Sequence, residues 1–153
     1  MSRFFYFYLK IAMGLHCRLF LLWISISTAH TFAQHRLEIE VENIEQLAGT
    51  FFLSIFDNQN DFDNNSIQSH FFQKTPVRAN KLKVIFDSLP EGKYAIKAYH
   101  DANNNQRLDK TWVGLPKEKY GFSNNVIGVM GPPSFSQSAF EVKGVTKHTL
   151  FLR

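Results

Sequence analysis

Leu82-Lys83-Val84-Ile85-Phe86-Asp87-Ser88-Leu89-Pro90-Glu91-Gly92-Lys93-Tyr94-Ala95-Ile96-Lys97-Ala98-Tyr99 decides the fold class. Leu82, Val84 and Phe86 alternate with Lys81, Lys83 and Ile85, the period of two that belongs to a strand with one buried face. Pro90 and Gly92 then fix a tight reversal, because proline presets one turn dihedral and glycine accepts the strained one. The segment after it, Tyr94 to Tyr99, is apolar enough to lie centrally in a sheet.

Working outward, the same pattern recurs. Leu37, Ile39 and Val41 alternate with Glu38, Glu40 and Glu42. Gly49 opens Thr50-Phe51-Phe52-Leu53-Ser54-Ile55-Phe56, a second strand. Ala139 to Val142, a turn at Lys143-Gly144 and His148 to Leu152 read as a final hairpin. No segment carries a capped helical stripe, and Ser66 to Gln73 is the best candidate for a turn or two of helix. Short alternating strands with this turn spacing predict an all-β, antiparallel Greek-key β-sandwich of the immunoglobulin or prealbumin kind. The stretches 57–74 and 101–134 exceed ordinary connections, and long loops in a small domain are functional or disordered.

The chain has 153 residues, which sets one domain as the expectation. Residues 1–33 stand apart from it. They carry Arg3, Lys10 and Arg18, no acidic residue, and the apolar run Leu19-Phe20-Leu21-Leu22-Trp23-Ile24-Ser25-Ile26. That run is far shorter than the roughly 20 residues that span a bilayer. With Thr31-Phe32-Ala33 following it, the segment reads as a secretory signal peptide cut after Ala33, an uncleaved anchor being the alternative. A start at Met13 would leave a leader of ordinary layout with Arg18 as its charge. Residues 34–153 then form the single exported domain, periplasmic or extracellular, with no transmembrane segment after cleavage. Cys17, the one cysteine, lies in the leader, so the domain must be held by its core without disulfides.

Export also changes the electrostatics. Losing Arg3, Lys10 and Arg18 takes the formal charge from +4 to +1. No clustered basic surface remains to neutralise phosphates, so nucleic acid is not an expected partner.

Chemistry concentrates between residues 100 and 125. Asp101, Asn103 and Asn105 place side-chain oxygens at alternate positions, Arg107 can offer its carbonyl, and Asp109 can close the shell. This is most of a calcium-loop ligand pattern, with Trp112 where the bidentate glutamate would stand. With two carboxylates the implied affinity is weak, on the order of 10⁻⁴–10⁻³ M. The alternative is a loop of Asx turns in which these side chains bond their own backbone. Nearby, Tyr120 and Phe122 supply flat faces, and Trp112, Glu118 and Asn124 join them as candidate binding residues for a sugar or peptide. The same residues could instead pack as a plug for one end of the domain. Asp57, Asp61 and Asp63 with their asparagines read better as a solvated loop than as a second cation site.

His100-Asp101-Ala102-Asn103-Asn104-Asn105, Leu108-Asp109, Gly114-Leu115-Pro116-Lys117-Glu118, Tyr120-Gly121-Phe122-Ser123-Asn124-Asn125 and Gly131-Pro132-Pro133-Ser134-Phe135 resemble the bacterial family known as domain of unknown function 2141. The resemblance covers most of residues 34–153. It implies a small exported β-rich domain common in Gram-negative bacteria, and it brings no reaction with it. The chain departs from the family pattern at Gln106, where glycine usually provides the sharp turn of such a loop.

No cysteine pair or histidine pair has zinc spacing, and no serine sits in a nucleophile elbow. No catalytic residue is therefore assigned. The expectation is a non-enzymatic binding or structural module of the envelope, with a calcium-stabilised loop and a protein or glycan partner. The rival is a small envelope hydrolase using His100, Asp101 and Glu118.

Overall fold

Eight strands carry the fold of the computed structural model, which describes residues 35–66, 70–129 and 131–153. They are β1 (His35–Glu42), β2 (Thr50–Phe56), β3 (His70–Pro76), β4 (Leu82–Leu89), β5 (Gly92–Asp101), β6 (Tyr120–Phe122), β7 (Phe140–Val142) and β8 (Val145–Phe151). Two short helices, α1 (Gln59–Asn64) and α2 (Phe135–Ser138), interrupt them. The protein is thus all-β, as its alternation predicts. The signal-peptide and start-site expectations fall outside the described residues.

The strands form two sheets, one ordered β4-β1-β8 and the other β3-β2-β5-β6, with β7 added against β5. Alternation places one face of each in a common core. Leu37, Ile39 and Val41 of β1, Val84 of β4 and Leu150 of β8 meet Phe51, Leu53 and Ile55 of β2 and Ile96 and Ala98 of β5 in one buried cluster. Leu82 and Phe86 pack at its margin, less deeply than their alternation predicts. Phe52 is buried on the opposite side of β2, stacked on Tyr99 at 4.8 Å between ring centroids. The described residues fall in one compact unit.

Three expectations need correction. Pairing is not wholly antiparallel: β1 runs parallel to β8, from Arg36 opposite Val145 to Glu42 opposite Phe151. Parallel neighbours cannot be joined by a tight turn, and here the rest of the domain makes the connection. The Pro90–Gly92 reversal and the Lys143-Gly144 turn do not close hairpins either. In both cases the strand before and the strand after join different sheets, β4 with β1 but β5 with β2, and β7 with β5 but β8 with β1. Alternation reports which face is buried, not which neighbour supplies the hydrogen bonds. Lastly, the helix lies at 59–64 and not at 66–73, of which residues 70–73 belong to β3.

The stretch expected to be a solvated loop, 57–65, is instead anchored. Asn58 caps α1 by accepting the Asp61 N–H at 2.9 Å. Phe62 does not interrupt the segment; it is 1% exposed and packs edge-on against Phe56 and Phe135 in a second, smaller core. Lys97 reaches over the Phe62 ring at 4.1 Å and donates to the Phe62 carbonyl. Its burial there holds the amine below its ordinary pKa.

The two sheets also meet at one corner. Tyr120 of β6 and Arg153 exchange both backbone hydrogen bonds, at 3.1 and 2.9 Å. Gly121 makes the approach possible, since a Cβ there would lie 2.9 Å from the Phe151 carbonyl oxygen. This corner forms the floor of the candidate site.

Candidate functional site: a clamped loop beside an apolar groove

Strand β5 ends at Asp101, whose side chain is completely buried. Gly49 permits the neighbouring turn to press against it. Its φ is +81°, and a Cβ would lie 2.1 Å from the Asp101 carbonyl oxygen. Asp101 then organises the loop that follows: Oδ1 accepts the Asn105 N–H at 3.1 Å and Oδ2 accepts the Gln106 N–H at 2.7 Å. Asn103 and Asn105 form successive Asx turns, accepting the N–H groups of Asn105 and Arg107 at 3.0 Å each. Their Nδ2 groups donate to one atom, Asp109 Oδ2, at 2.7 and 2.9 Å. These bonds hold the Asp109 carboxyl below its ordinary pKa, with the charges of Arg107 and Lys117 adding to the effect.

Asp101, Asn103, Asn105 and Asp109 therefore curl together, with Asn105 bonded to the other three. Arg107 faces Asp109 through its guanidinium, Nε lying 3.6 Å from Oδ1. Gln106 occupies the turn with φ +65°, the left-handed conformation that glycine would take without steric cost. Asn104 is left-handed as well and accepts the Thr50 hydroxyl at 2.8 Å. Among the described residues no three His, Cys, Asp or Glu side chains form a metal-binding group. A cation in this loop would have to rely on amide oxygens as well as its two carboxylates.

Glu118 closes the loop at both ends. One carboxylate oxygen accepts the Ala102 N–H and the other the Asp109 N–H, each at 3.0 Å. His100, 3% exposed, has Nε2 2.6 Å from the Ala48 carbonyl oxygen. The trio considered for hydrolysis is thus occupied with backbone groups, at separate points along the loop. Ser123 is fully buried, accepting the Ile96 N–H at 2.8 Å and donating to the Ser138 carbonyl at 2.5 Å.

Asn124 and Asn125 are likewise backbone devices, both with positive φ. Asn124 donates to the carbonyls of Gln137 and Ala139. Asn125 imitates a strand partner for β8, donating to the Thr149 carbonyl and accepting the Phe151 N–H. Tyr120 and Phe122 pack edge-on with centroids 6.0 Å apart, and Phe122 also approaches Phe62. Among the expected binding residues, Trp112 stands almost wholly in solvent, 97% exposed.

Sequence reasoning missed the concave feature beside this loop. A groove of about 350 Å³ runs between residues 108–122 and 125–133, with Leu108, Leu115, Tyr120, Phe122, Ile127 and Phe151 among its lining. Among the described residues its charged lining consists of Lys110 and Arg153. Trp112 projects from the turn that forms one wall. That turn is pinned by Thr111 N–H to Leu115 O at 2.7 Å, Gly114 N–H to Thr111 O at 2.9 Å and a bridge between Lys110 and Pro116. On the other wall Val129 is 96% exposed. The clue lay in apolar residues broken by glycine and proline, Trp112-Val113-Gly114-Leu115-Pro116 and Val126-Ile127-Gly128-Val129. A run that cannot become a regular strand and yet stays apolar has a surface to make.

Fold and site together define a small two-sheet module with a rigid polar loop and a preformed apolar groove. The chain belongs to the bacterial family described as an uncharacterized protein conserved in bacteria (DUF2141), whose model matches residues 39–149. No curated protein and no solved structure matches it.

Proposed function

We propose that this protein is an exported, non-enzymatic binding module of the Gram-negative envelope, and that the groove between residues 108–122 and 125–133 is its binding site. The groove is the observation that carries the reading. Its volume of about 350 Å³ lies in the range of ligand pockets. Of the nine large apolar side chains exposed among the described residues, six are Trp112, Val113, Leu115, Ile127, Val129 and Phe151, on its walls or beside it. Such concentration on one face marks an interaction surface. The lining favours a partner or ligand with an apolar part over a glycan, because aliphatic groups outnumber the two aromatic rings, which pack edge-on against each other.

The same proposal includes cleavage after Ala33 and a Greek-key β-sandwich, for which the shared core of the two sheets is the support. Nile red, a neutral apolar probe, tests the site. Residues 34–153 should bind it with an emission increase that Leu115→Glu and Ile127→Glu each abolish while the circular dichroism spectrum is kept. Binding unaffected by both variants would move the site elsewhere. Mass spectrometry of envelope protein should find Gln34 at the N-terminus; an intact leader would refute export by this route.

A second reading concerns the loop. The convergence of Asn103 and Asn105 on Asp109, and the left-handed Gln106, suit calcium. Binding would require the two amides to turn their oxygens inward at the expense of two Asx-turn bonds, which is consistent with weak affinity. At ten times Kd, calcium would stabilise the fold by about 1.4 kcal/mol. The melting temperature should rise with calcium, not with magnesium, and not in Asp109→Asn; an unmoved melting curve favours the self-contained Asx loop.

A further inference from the structure

We infer that the occupant of the groove is an acyl chain of an anionic lipid presented at a membrane surface, a step that rests on the groove being the binding site. Charge makes the first argument. The groove's charged lining residues are both cations, Lys110 and Arg153, and Lys117 lies one residue beyond the Lys110–Pro116 bridge. Among the described residues none of the three forms an ion pair, although most other cations near the loop do: Arg107 with Asp109, and Lys119 with Glu45. The nearby acids are engaged within the loop, Glu118 by two backbone N–H groups and Asp109 by Asn103, Asn105 and Arg107. Arg153 is tied to the Asn125 carbonyl, so the exposed lysines Lys110 and Lys117 are the cations left at the rim of an apolar concavity, an arrangement that complements an amphiphile with an anionic head.

The rim makes the second argument. Trp112 and Val129 stand on separate segments, each almost wholly exposed, at 97% and 96%. Trp112 is held out by a turn with three internal hydrogen bonds, so its exposure is built into the chain. Tryptophan suits the water–membrane boundary, because its ring is apolar and its N–H still finds polar partners. The choice of cation separates lipid from protein. Lysine is depleted from protein interfaces, where its strongly hydrated head is costly to bury, and favoured beside anionic lipid, where the head stays wet. Lys110 and Lys117 are both exposed lysines.

Residues 34–153 contain a single tryptophan, because the other of the chain's two is Trp23 in the leader. Its fluorescence therefore reports on Trp112 alone. Residues 34–153 should sediment with vesicles of phosphatidylcholine plus phosphatidylglycerol on the order of ten-fold more strongly than with phosphatidylcholine alone. The emission should shift to the blue, and added salt should reverse both effects. Lys110→Glu with Lys117→Glu should remove the anionic preference, and Trp112→Ala should weaken sedimentation without changing the fold. Equal binding to both vesicle types, or an unshifted Trp112, would overturn the inference. Displacement of Nile red by soluble decanoate, with no vesicle binding, would replace the membrane by a free acyl anion. Nile red binding without either lipid result leaves an apolar protein segment as occupant and overturns the inference alone, whereas loss of Nile red binding overturns the underlying site.

Discussion

From Asp101 to Asp109 the polar side chains are engaged with protein partners, whereas Lys110, Trp112, Val113, Leu115, Ile127 and Val129 are left facing water. In the first region Asp101 accepts two backbone N–H groups and two asparagines accept two more, while Glu118 reaches in from outside to accept another two. In the second, Trp112, Val113, Leu115, Ile127 and Val129 are all more than half exposed. The two regions adjoin, and Leu108 at the end of the loop lines the groove. The densely bonded polar residues are thus the frame, and the exposed apolar surface beside them is where the proposed binding would draw its free energy.

The largest effect should come from breaking the frame. Asp101→Ala leaves the Asn105 and Gln106 N–H groups without their acceptor and removes a carboxylate that is wholly buried. The expected cost is about 3 kcal/mol, read as a lower urea midpoint at unchanged slope. A loss below about 0.5 kcal/mol, the scale of an ordinary surface substitution, would mean that the loop is not clamped as described and the contrast between the regions fails.

A smaller effect is hidden in the pH dependence. Asp109 has its folded pKa lowered from the ordinary 3.8, first by the Asn103 bond and then by that of Asn105. The folded state therefore binds fewer protons than the unfolded state below that value. Its contribution to stability is present above pH 3.8 and is lost as pH falls through the lower folded value. Urea unfolding in acid should show a steeper decline for the natural protein than for Asp109→Asn. Glu38 is lowered as well, chiefly by its bond to Lys83, so the difference between the two proteins is the informative quantity. Parallel declines would show that the two asparagine bonds do not discriminate between the charged and neutral carboxyl.

How much of this was legible beforehand follows from the kind of information each residue carries. Val84 and Ile96 declare a buried face by alternation, and both are buried. Nothing in that alternation distinguishes a hairpin from a crossing between sheets, so the partners of β5 and β8 could not be read. The 101–109 loop was legible as a curl because Asp and Asn at alternate positions bend a chain whether they bond a cation or their own amides. What separates those outcomes is the rotation of a side-chain amide, which composition does not encode. Asparagine also carried a signal left unread. Among the described residues, five of the six non-glycine residues with positive φ are asparagines, at 43, 65, 104, 124 and 125. Asn124 was expected to bind a ligand, and its amide is tied to two backbone carbonyls. Asparagine tolerates the left-handed region better than most residues, so an Asn-rich loop marks backbone shape as readily as chemistry.

The sixth of those residues offers a gain in stability. Gln106 holds φ +65° with a Cβ that opposes it. Its side chain contributes one exposed bond, from Lys74 Nζ at 3.3 Å. Gln106→Gly should relieve the strain and stabilise the domain by about 0.5–1 kcal/mol, reduced in part by the greater freedom of glycine in the unfolded chain. Thermal melting reads the sign directly. A lower melting temperature would mean that the Lys74 contact or the unfolded-state entropy outweighs the strain, and the loop would then be looser than its hydrogen bonds suggest.

The smallest expected effect is the sharpest test of the contrast. Trp112→Ala removes the largest side chain of the second region, and in a core such a change would cost about 3–5 kcal/mol. Here the side chain is 97% exposed, and the turn beneath it is held by the backbone of Thr111, Gly114 and Leu115 together with the Thr111 hydroxyl. Almost no apolar contact is lost, and alanine keeps the same backbone preference on the pinned turn. The stability should therefore stay within about 0.5 kcal/mol of the natural protein. Urea unfolding followed by far-ultraviolet circular dichroism measures it without relying on the deleted fluorophore. A loss of several kcal/mol would place the ring against a neighbour and make it part of the frame. An unchanged midpoint together with weakened vesicle sedimentation would instead separate stability from binding at a single residue, because a group that the fold leaves in water is the one that a second surface can still take out of it.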